Sequence, residues 1–468
     1  MFDFKIKNFK CFSENEFHFS RINILIGENN SGKSSLIKYF QCLKQSLFGT
    51  DSLNLTLNGP LIDLGNYKEV VNYNQPKKNL EFTYRFGSEY TAYFLYFVLP
   101  KKPKSHEVEI NQKEIDGILG HLKVLPTQKL NLSYAITKDL DQKQTVGVSI
   151  SHDALGMLEI MIDDNEEQEI KLGIKLNKCT IRFTDTGGKE FVIKEARYQK
   201  DSFRALIDRD VIQKYCEKNG DDSTFYKMAY LLISQNFLEM HLNKMHFINP
   251  ILSIPSRYYI ERDKNKDYSK ISIDTLINYI SSKSVSKTDY TKITNDLNGF
   301  LSFFGIADAI DVVRDDNFPV IQLKAKIGNL WSNITDVGYG VALQIPIIFQ
   351  AYFSEKKQSG DTIFIEQPEL HLYPRLQAKF IETLAKIGNK NTYVIETHSE
   401  HIVRKLQSMV KAKAYGIKKE DVTIHYFKRD KNKIIVTQHK IMENGYLEPE
   451  IPSGFYDASY LLSKELLG

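Results

Sequence analysis

One short run near the N-terminus, Gly27-Glu28-Asn29-Asn30-Ser31-Gly32-Lys33-Ser34, constrains this chain more than any other feature. It follows an apolar segment, Arg21–Ile26, that reads as a strand. It precedes a segment whose Leu36, Ile37, Phe40, Leu43 and Leu47 share one helical face. Strand, glycine loop and helix form the context in which GxxxxGK[ST] is a phosphate-binding loop. The two glycines let backbone N–H groups wrap phosphate oxygens, and the helix N-terminus adds positive potential. Lys33 is placed to neutralise β- and γ-phosphate charge, and the Ser34 hydroxyl to ligate Mg²⁺. The loop therefore predicts an α/β fold that binds ATP with magnesium.

Further motifs follow late in the chain. Thr362-Ile363-Phe364-Ile365-Glu366-Gln367-Pro368-Glu369 is an apolar strand that ends in acidic residues. Such an end supplies one carboxylate for Mg²⁺, here Glu366, and a neighbour that orients the attacking water. A second short apolar strand, Thr392–Ile395, runs into Glu396-Thr397-His398-Ser399. A histidine just past a core strand can reach a γ-phosphate as a hydrogen-bond donor. Asp336-Val337-Gly338-Tyr339-Gly340 precedes an apolar helix expected from near Val341, and its two glycines offer a further anion site at a helix N-terminus.

Between these ends the pattern changes. Phe2–Phe9 alternates as a strand. Leu80–Leu99, Leu130–Thr137, Thr145–Ser151, Leu158–Ile162 and Cys179–Thr184 read as strands of a mostly antiparallel sheet. Ser202–Leu242 and Ile273–Phe304 read as helical, and so does the segment from about Arg375. The expected organisation is a split core. Residues 1–100 carry the N-terminal part with the loop, 101–330 a β-rich and helical lobe, and 331–468 the C-terminal part with the remaining motifs.

Composition excludes several classes. A net charge of +4 over 468 residues does not by itself mark a nucleic-acid binder, although Lys411, Lys413, Lys418, Lys419, Lys428, Arg429, Lys431 and Lys433 make the C-terminal region locally basic. The four cysteines, Cys11, Cys42, Cys179 and Cys216, form no CxxC pair, so neither a zinc site nor a disulfide framework is indicated and a reducing cytoplasm is expected. The longest apolar stretch, Val341–Phe353, is interrupted by Gln344, Pro346 and Gln350, too short and too polar for a membrane span.

Taken in order, Asn8-Phe9-Lys10-Cys11-Phe12, the "INILIGENNSGKSSLI" run, "DVGYG", "FIEQPELHLYPRLQ" and "ETHSEHIV" resemble the ABC-type ATPases of the SMC/RecF/OLD branch, grouped with the AAA family ATPases. The resemblance implies a P-loop ATPase head with a mixed sheet, an antiparallel β elaboration and an inserted helical lobe. It also implies a homodimer, or a higher homo-oligomer, that sandwiches two nucleotides. Gly27–Ser35 of one protomer would bind ATP, with Lys10 near the nucleotide. Gly338 and Gly340 of the other would reach the γ-phosphate. Glu366, Gln367, Glu369 and His398 would form the catalytic set, with Ser34 and Glu366 on the metal.

Three departures bear on that expectation. Gln367 stands where many relatives have the catalytic glutamate, and an amide cannot take a proton as a carboxylate does. Glu366 or Glu369 then does that work, or hydrolysis is slow. Ala342 and Leu343 replace the Ser and Gln that often continue the signature turn. Tyr373 replaces a histidine, while His371 is retained. The chain after His398 is too short for the nuclease domain of OLD enzymes. The resemblance therefore implies an ATPase that controls a separate effector, a nuclease or toxin, as in PARIS-like or Septu-like anti-phage defence. A DNA-repair ATPase of RecF or SMC type, with DNA as a partner, is an alternative. A non-hydrolysing ATP-gated scaffold is another. A transporter subunit fits least, because the usual LSGGQ is missing.

Overall fold

The computed structural model describes residues 2–47, 55–72, 79–86, 130–138, 144–153, 155–163, 169–171, 174–201, 204–207, 209–219, 222–249, 255–260, 277, 286–315, 320–357, 360–431, 433–452 and 464–466. The chain divides into two units. The first comprises Met1–Phe19, Lys38–Asn243 and Asp430–Ile434; the second comprises Ser20–Ile37, Lys244–Arg429 and Ile435–Gly468.

The first unit is built on a ten-stranded sheet. Its path runs Arg204–Ile207, Glu190–Asp201, Ile174–Thr184, Gly156–Asp163, Gln144–His152, Leu130–Lys138, Leu80–Phe86, Phe2–Phe9 and Phe12–Phe19, with Glu169–Lys171 paired beside Ile174–Thr184. The pairings are antiparallel, as the alternating sequence pattern predicts. Phe2, Phe4 and Ile6 are buried while Asp3, Lys5 and Lys7 are half-buried, so one face of the strand is apolar. Against that face lie Tyr39, Phe40, Tyr84 and His241, an aromatic cluster with ring centroids 4.4–6.5 Å apart. Offset and edge-on pairs of this kind add about 0.5–1.5 kcal/mol each beyond the area they bury.

The second unit holds a seven-stranded sheet in the order Met245–Ile248, Thr362–Glu366, Thr392–Glu396, Ile22–Gly27, Val422–Asp430, Lys433–Ile441 and Leu447–Glu448. The first five are parallel, and Leu447–Glu448 is antiparallel to its neighbour, so the sheet is mixed. Apart from the buried Asn23, the interior positions of the central strands are apolar because both faces are covered. Helices Tyr339–Lys356, Pro374–Ile387 and Glu400–Ala412 bury Ile345, Phe380, Leu384 and Leu406 in the same core as Ile24, Ile365 and Ile395. A smaller four-stranded sheet is formed by Tyr259–Ile260, Ala309–Arg314, Val320–Ile327 and Leu330–Asn333.

Most expected elements are present, with three corrections. Ser202–Leu242 is not helical throughout: Arg204–Ile207 is a strand, antiparallel to Glu190–Asp201, and helices begin at Arg209. Pairing with the adjacent strand outweighs the local helical periodicity there. The apolar helix starts at Tyr339, two residues before the expected Val341, with Gly338 as its N-cap. Within the expected helical segment Ile273–Phe304, Ser286 is extended and caps a helix that begins only at Lys287. Pro346 lies inside the helix Tyr339–Lys356. The buried Gln344 and Gln350 are accommodated because each side chain finds an acceptor, the Pro368 carbonyl and the Ser354 hydroxyl. The segments expected at 87–99 and at 273–285 apart from Ile277 lie outside the described residues. Cys42, Cys179 and Cys216 are buried and Cys11 is half-buried. Among the described residues no helix is long and apolar enough to cross a membrane.

Candidate functional site

The parallel order brings three strand ends together. Ile22–Gly27 delivers the glycine loop, Thr392–Glu396 lies beside it, and Thr362–Glu366 lies beside that. Ligands of open α/β sheets bind at these carboxyl ends.

The loop is shaped by backbone. Gly27 has φ +139°, and a Cβ there would stand 2.0 Å from the Phe427 carbonyl oxygen on the neighbouring strand. Only glycine permits that approach. Gly32 and Asn30 also have positive φ, +99° and +58°. The Glu28 N–H donates to Phe427 O at 3.2 Å, and the Glu28 carboxylate accepts from the Arg429 N–H at 3.3 Å, which ties the loop to the strand Val422–Asp430. Glu28, Asn29 and Asn30 are exposed. Ser31 is buried, and its Oγ has no hydrogen-bond partner among the described residues.

Lys33 is buried and turned back on the loop. Its Nζ donates to the carbonyls of Gly27 at 3.0 Å and Glu28 at 2.7 Å. Burial lowers its pKa from 10.5, and the nearby Glu396 and Glu28 carboxylates work against that shift. Ser34 and Ser35 begin the helix Lys33–Ser46, and both are half-buried. The Ser34 hydroxyl donates to Glu396 Oε1 at 2.8 Å.

Glu366 is half-buried at the end of its strand and accepts from Asn249 Nδ2 at 3.3 Å. Gln367 is held at φ +46°, in the left-handed region that non-glycine residues rarely enter, and its N–H donates to the Glu396 carbonyl at 2.7 Å. Glu369 Oε1 accepts from the His398 backbone N–H at 2.6 Å, while its Oε2 is buried with no hydrogen-bond partner among the described residues. The His398 ring is exposed. Its pKa lies below 6.5, first through partial desolvation and then through the Lys33 charge, with Glu369 opposing. The turn behind it is fixed: Thr397 N–H bonds Leu25 O at 3.1 Å, and Ser399 caps the helix Glu400–Ala412 while donating to Gln377 Oε1.

Gly338 and Gly340 lie at the start of the helix Tyr339–Lys356. Gly338 is exposed with open space around its Cα, whereas a Cβ on Gly340 would meet the His371 carbonyl oxygen at 2.7 Å. The Tyr339 ring packs edge-on against His371, and Gln344 Nε2 donates to Pro368 O at 2.7 Å. The glycine turn is thus seated on the acidic loop after Glu366. Lys10 belongs to the first unit, on the tight turn after Phe2–Phe9. It has φ +46°, its N–H bonds Val70 O at 2.6 Å, and burial together with Lys38 lowers its pKa.

The chain thus brings the loop, Glu366, Gln367, Glu369, His398 and the Gly338–Gly340 turn into one unit. Sequence reasoning missed Asn249, Gln344 and above all Glu396. Glu396 had a signal: Thr362–Glu366 and Thr392–Glu396 share one pattern, a threonine, three apolar residues and a terminal glutamate. The two strands pair in register, Thr362 with Thr392 and Glu366 with Glu396. The Ser34 hydroxyl on the Glu396 carboxylate, with Glu366 in register on the next strand, offers hard oxygen donors, the chemistry that suits Mg²⁺. The buried, unpartnered Ser31 hydroxyl inside the loop suits an anionic ligand.

Fold and site define a P-loop nucleotide-binding α/β protein. The chain belongs to the AAA ATPase domain family, which matches residues 1–403; residues 417–460 match a protein family of unknown function, DUF3696. No curated protein matches the chain. Similar solved structures include an SMC head bound to the C-winged helix domain of ScpA, at 10% identity and TM-score 0.42, covering 94% of this chain and 98% of that one. The SMC head domain from Thermotoga maritima has 10% identity and TM-score 0.35, covering 93% and 97%. An Smc head domain with an extended coiled coil, bound to the C-terminal domain of ScpA derived from Pyrococcus furiosus, has 9% identity and TM-score 0.39, with full coverage of both.

Proposed function

We propose that this chain binds Mg·ATP at Gly27–Ser35, hydrolyses it slowly, and pairs with a second copy around the nucleotide to control a separate effector. The observation that carries the reading is the meeting of loop and carboxylates. Ser34 of the loop is hydrogen-bonded to a glutamate at the end of the adjacent strand, and that glutamate is in register with Glu366. Bound Mg²⁺ would supply Lewis-acid stabilisation of phosphate charge, held by Ser34 and Glu366.

The rest is work for the chain's own groups. Lys33 leaves the carbonyls of Gly27 and Glu28 for the phosphate oxygens, a stronger, charge-assisted pairing. Glu369 holds His398 in place through one oxygen, and its unpartnered oxygen is the proton acceptor for the attacking water. Gln367 orients that water without taking its proton. His398, neutral near pH 7 because its pKa is lowered, donates a single N–H to the γ-phosphate. Gly338 and the following backbone N–H groups meet the nucleotide of the partner protomer.

The expected role, by analogy with the ATPases the motifs resemble, is in bacterial anti-phage defence, with a nuclease or toxin as effector. Gln367 favours a second reading, an ATP-gated scaffold that pairs without turnover. Both are tested by ATP turnover of the purified chain, read with its mass in the presence and absence of Mg·ATP. Turnover with nucleotide-dependent doubling supports the ATPase. Doubling without turnover supports the scaffold. Unchanged mass in saturating Mg·ATP overturns pairing.

A further inference from the structure

The carboxylate nearest the loop serine is one that the usual roles leave out. Glu396 is 3% exposed, yet its Oε1 accepts the Ser34 hydroxyl at 2.8 Å. It ends a strand between the loop strand and the strand of Glu366, paired with Leu25 on one side and Glu366 on the other. Residues paired in register in a parallel sheet point to the same face, about 4.8 Å apart along the hydrogen-bonding direction. The acidic end of the sheet is therefore double. Its main chain is engaged as well, since the Glu396 carbonyl takes the N–H of Gln367 in its left-handed conformation.

A buried carboxylate is costly unless it is compensated. Lys33 supplies part of that compensation, a dication bound at this strand end would add to it, and glutamine would serve if the side chain only had to accept a hydrogen bond. We infer that Glu396 is a positioning residue for the divalent cation: it orients the Ser34 hydroxyl and adds a second carboxylate beside Glu366. The inference rests on the nucleotide-site reading of the loop. It assigns Glu396 a charge requirement that a purely structural acceptor does not have.

The test is Mn²⁺ binding, followed by electron paramagnetic resonance, to the full chain saturated with a non-hydrolysable ATP analogue. Glu396→Gln keeps an acceptor for Ser34 and removes the charge. The expected result is a loss of at least about 10-fold in Mn²⁺ affinity, the usual scale for a partner that supports a metal ligand, with metal-free nucleotide affinity unchanged. Glu396→Asp keeps the charge on a shorter arm and is expected to fall between wild type and Glu396→Gln. If the glutamine variant does not fold, Glu396→Ala, which also removes the charge, carries the test. Unchanged Mn²⁺ affinity in a folded variant that lacks the charge overturns the inference and leaves the nucleotide-site reading standing. A wild-type chain that binds no nucleotide overturns both.

Discussion

At the scale of single residues, several side chains hold protonation states that folding imposes on them. His152 and His439 are 2% and 1% exposed, and burial holds both below 6.5 against the opposing pull of Asp153 and of the Pro449 carbonyl. His398 is lowered too, by partial desolvation and by Lys33. Each ring stays neutral in the fold while the unfolded chain takes up a proton as pH falls through 6.5. The unfolded state then binds more protons, and stability declines on acidification. Asp361 adds a later loss. Burial raises its pKa, but hydrogen bonds from His246 and Ser354 outweigh this, so its contribution is present above 3.8 and is lost as pH falls through the lowered value. The melting temperature is expected to fall between about pH 7.5 and about pH 5.5, and a flat or rising trend contradicts these assignments. None of this was legible in the sequence, because burial of a histidine is set by distant segments. Glu396 was hidden for the same reason: its acidity was visible, but its contact with Ser34 joins residues far apart in the chain.

At the scale of elements, the sequence was legible where structure is local. The loop Gly27–Ser34, the strands Thr362–Glu366 and Thr392–Glu396 and the helix Pro374–Ile387 follow from period, apolar runs and turn residues. Arg204–Ile207 was not legible, because its strand state depends on pairing with Glu190–Asp201. Nor was the seating of the glycine turn on the acidic loop, which rests on close approach rather than on pattern. That seating gives a sharp comparison. Gly340→Ala places a methyl 2.7 Å from the His371 carbonyl oxygen, whereas Gly338→Ala meets nothing within 4 Å. Overpacking costs about 1–3 kcal/mol and alanine returns about 1 kcal/mol of helix propensity, so Gly340→Ala is expected to lose about 1 kcal/mol net. Gly338→Ala is expected to unfold like wild type in urea. Equal midpoints for Gly340→Ala and wild type would show that the turn does not bear on the loop.

At the scale of the whole molecule, the sequence read an α/β protein split by a long antiparallel elaboration, and a parallel-cored mixed sheet and a ten-stranded antiparallel sheet are both present. Its motifs are dispersed along the chain, near residues 30, 340, 366 and 398, yet the parallel strand order collects them at one end of one sheet. Binding there has a consequence for the whole chain: a ligand that binds only the folded state stabilises it by about 2.7 kcal/mol at a concentration 100 times its Kd. ATP binding through the loop at this end of the sheet is read by equilibrium binding of ATP, with and without Mg²⁺, to the wild-type chain and to Lys33→Ala. Saturable binding by wild type, tightened by Mg²⁺ and lost in a folded Lys33→Ala protein, is the predicted result. Binding that is absent from wild type, or equal in the two proteins, contradicts the account.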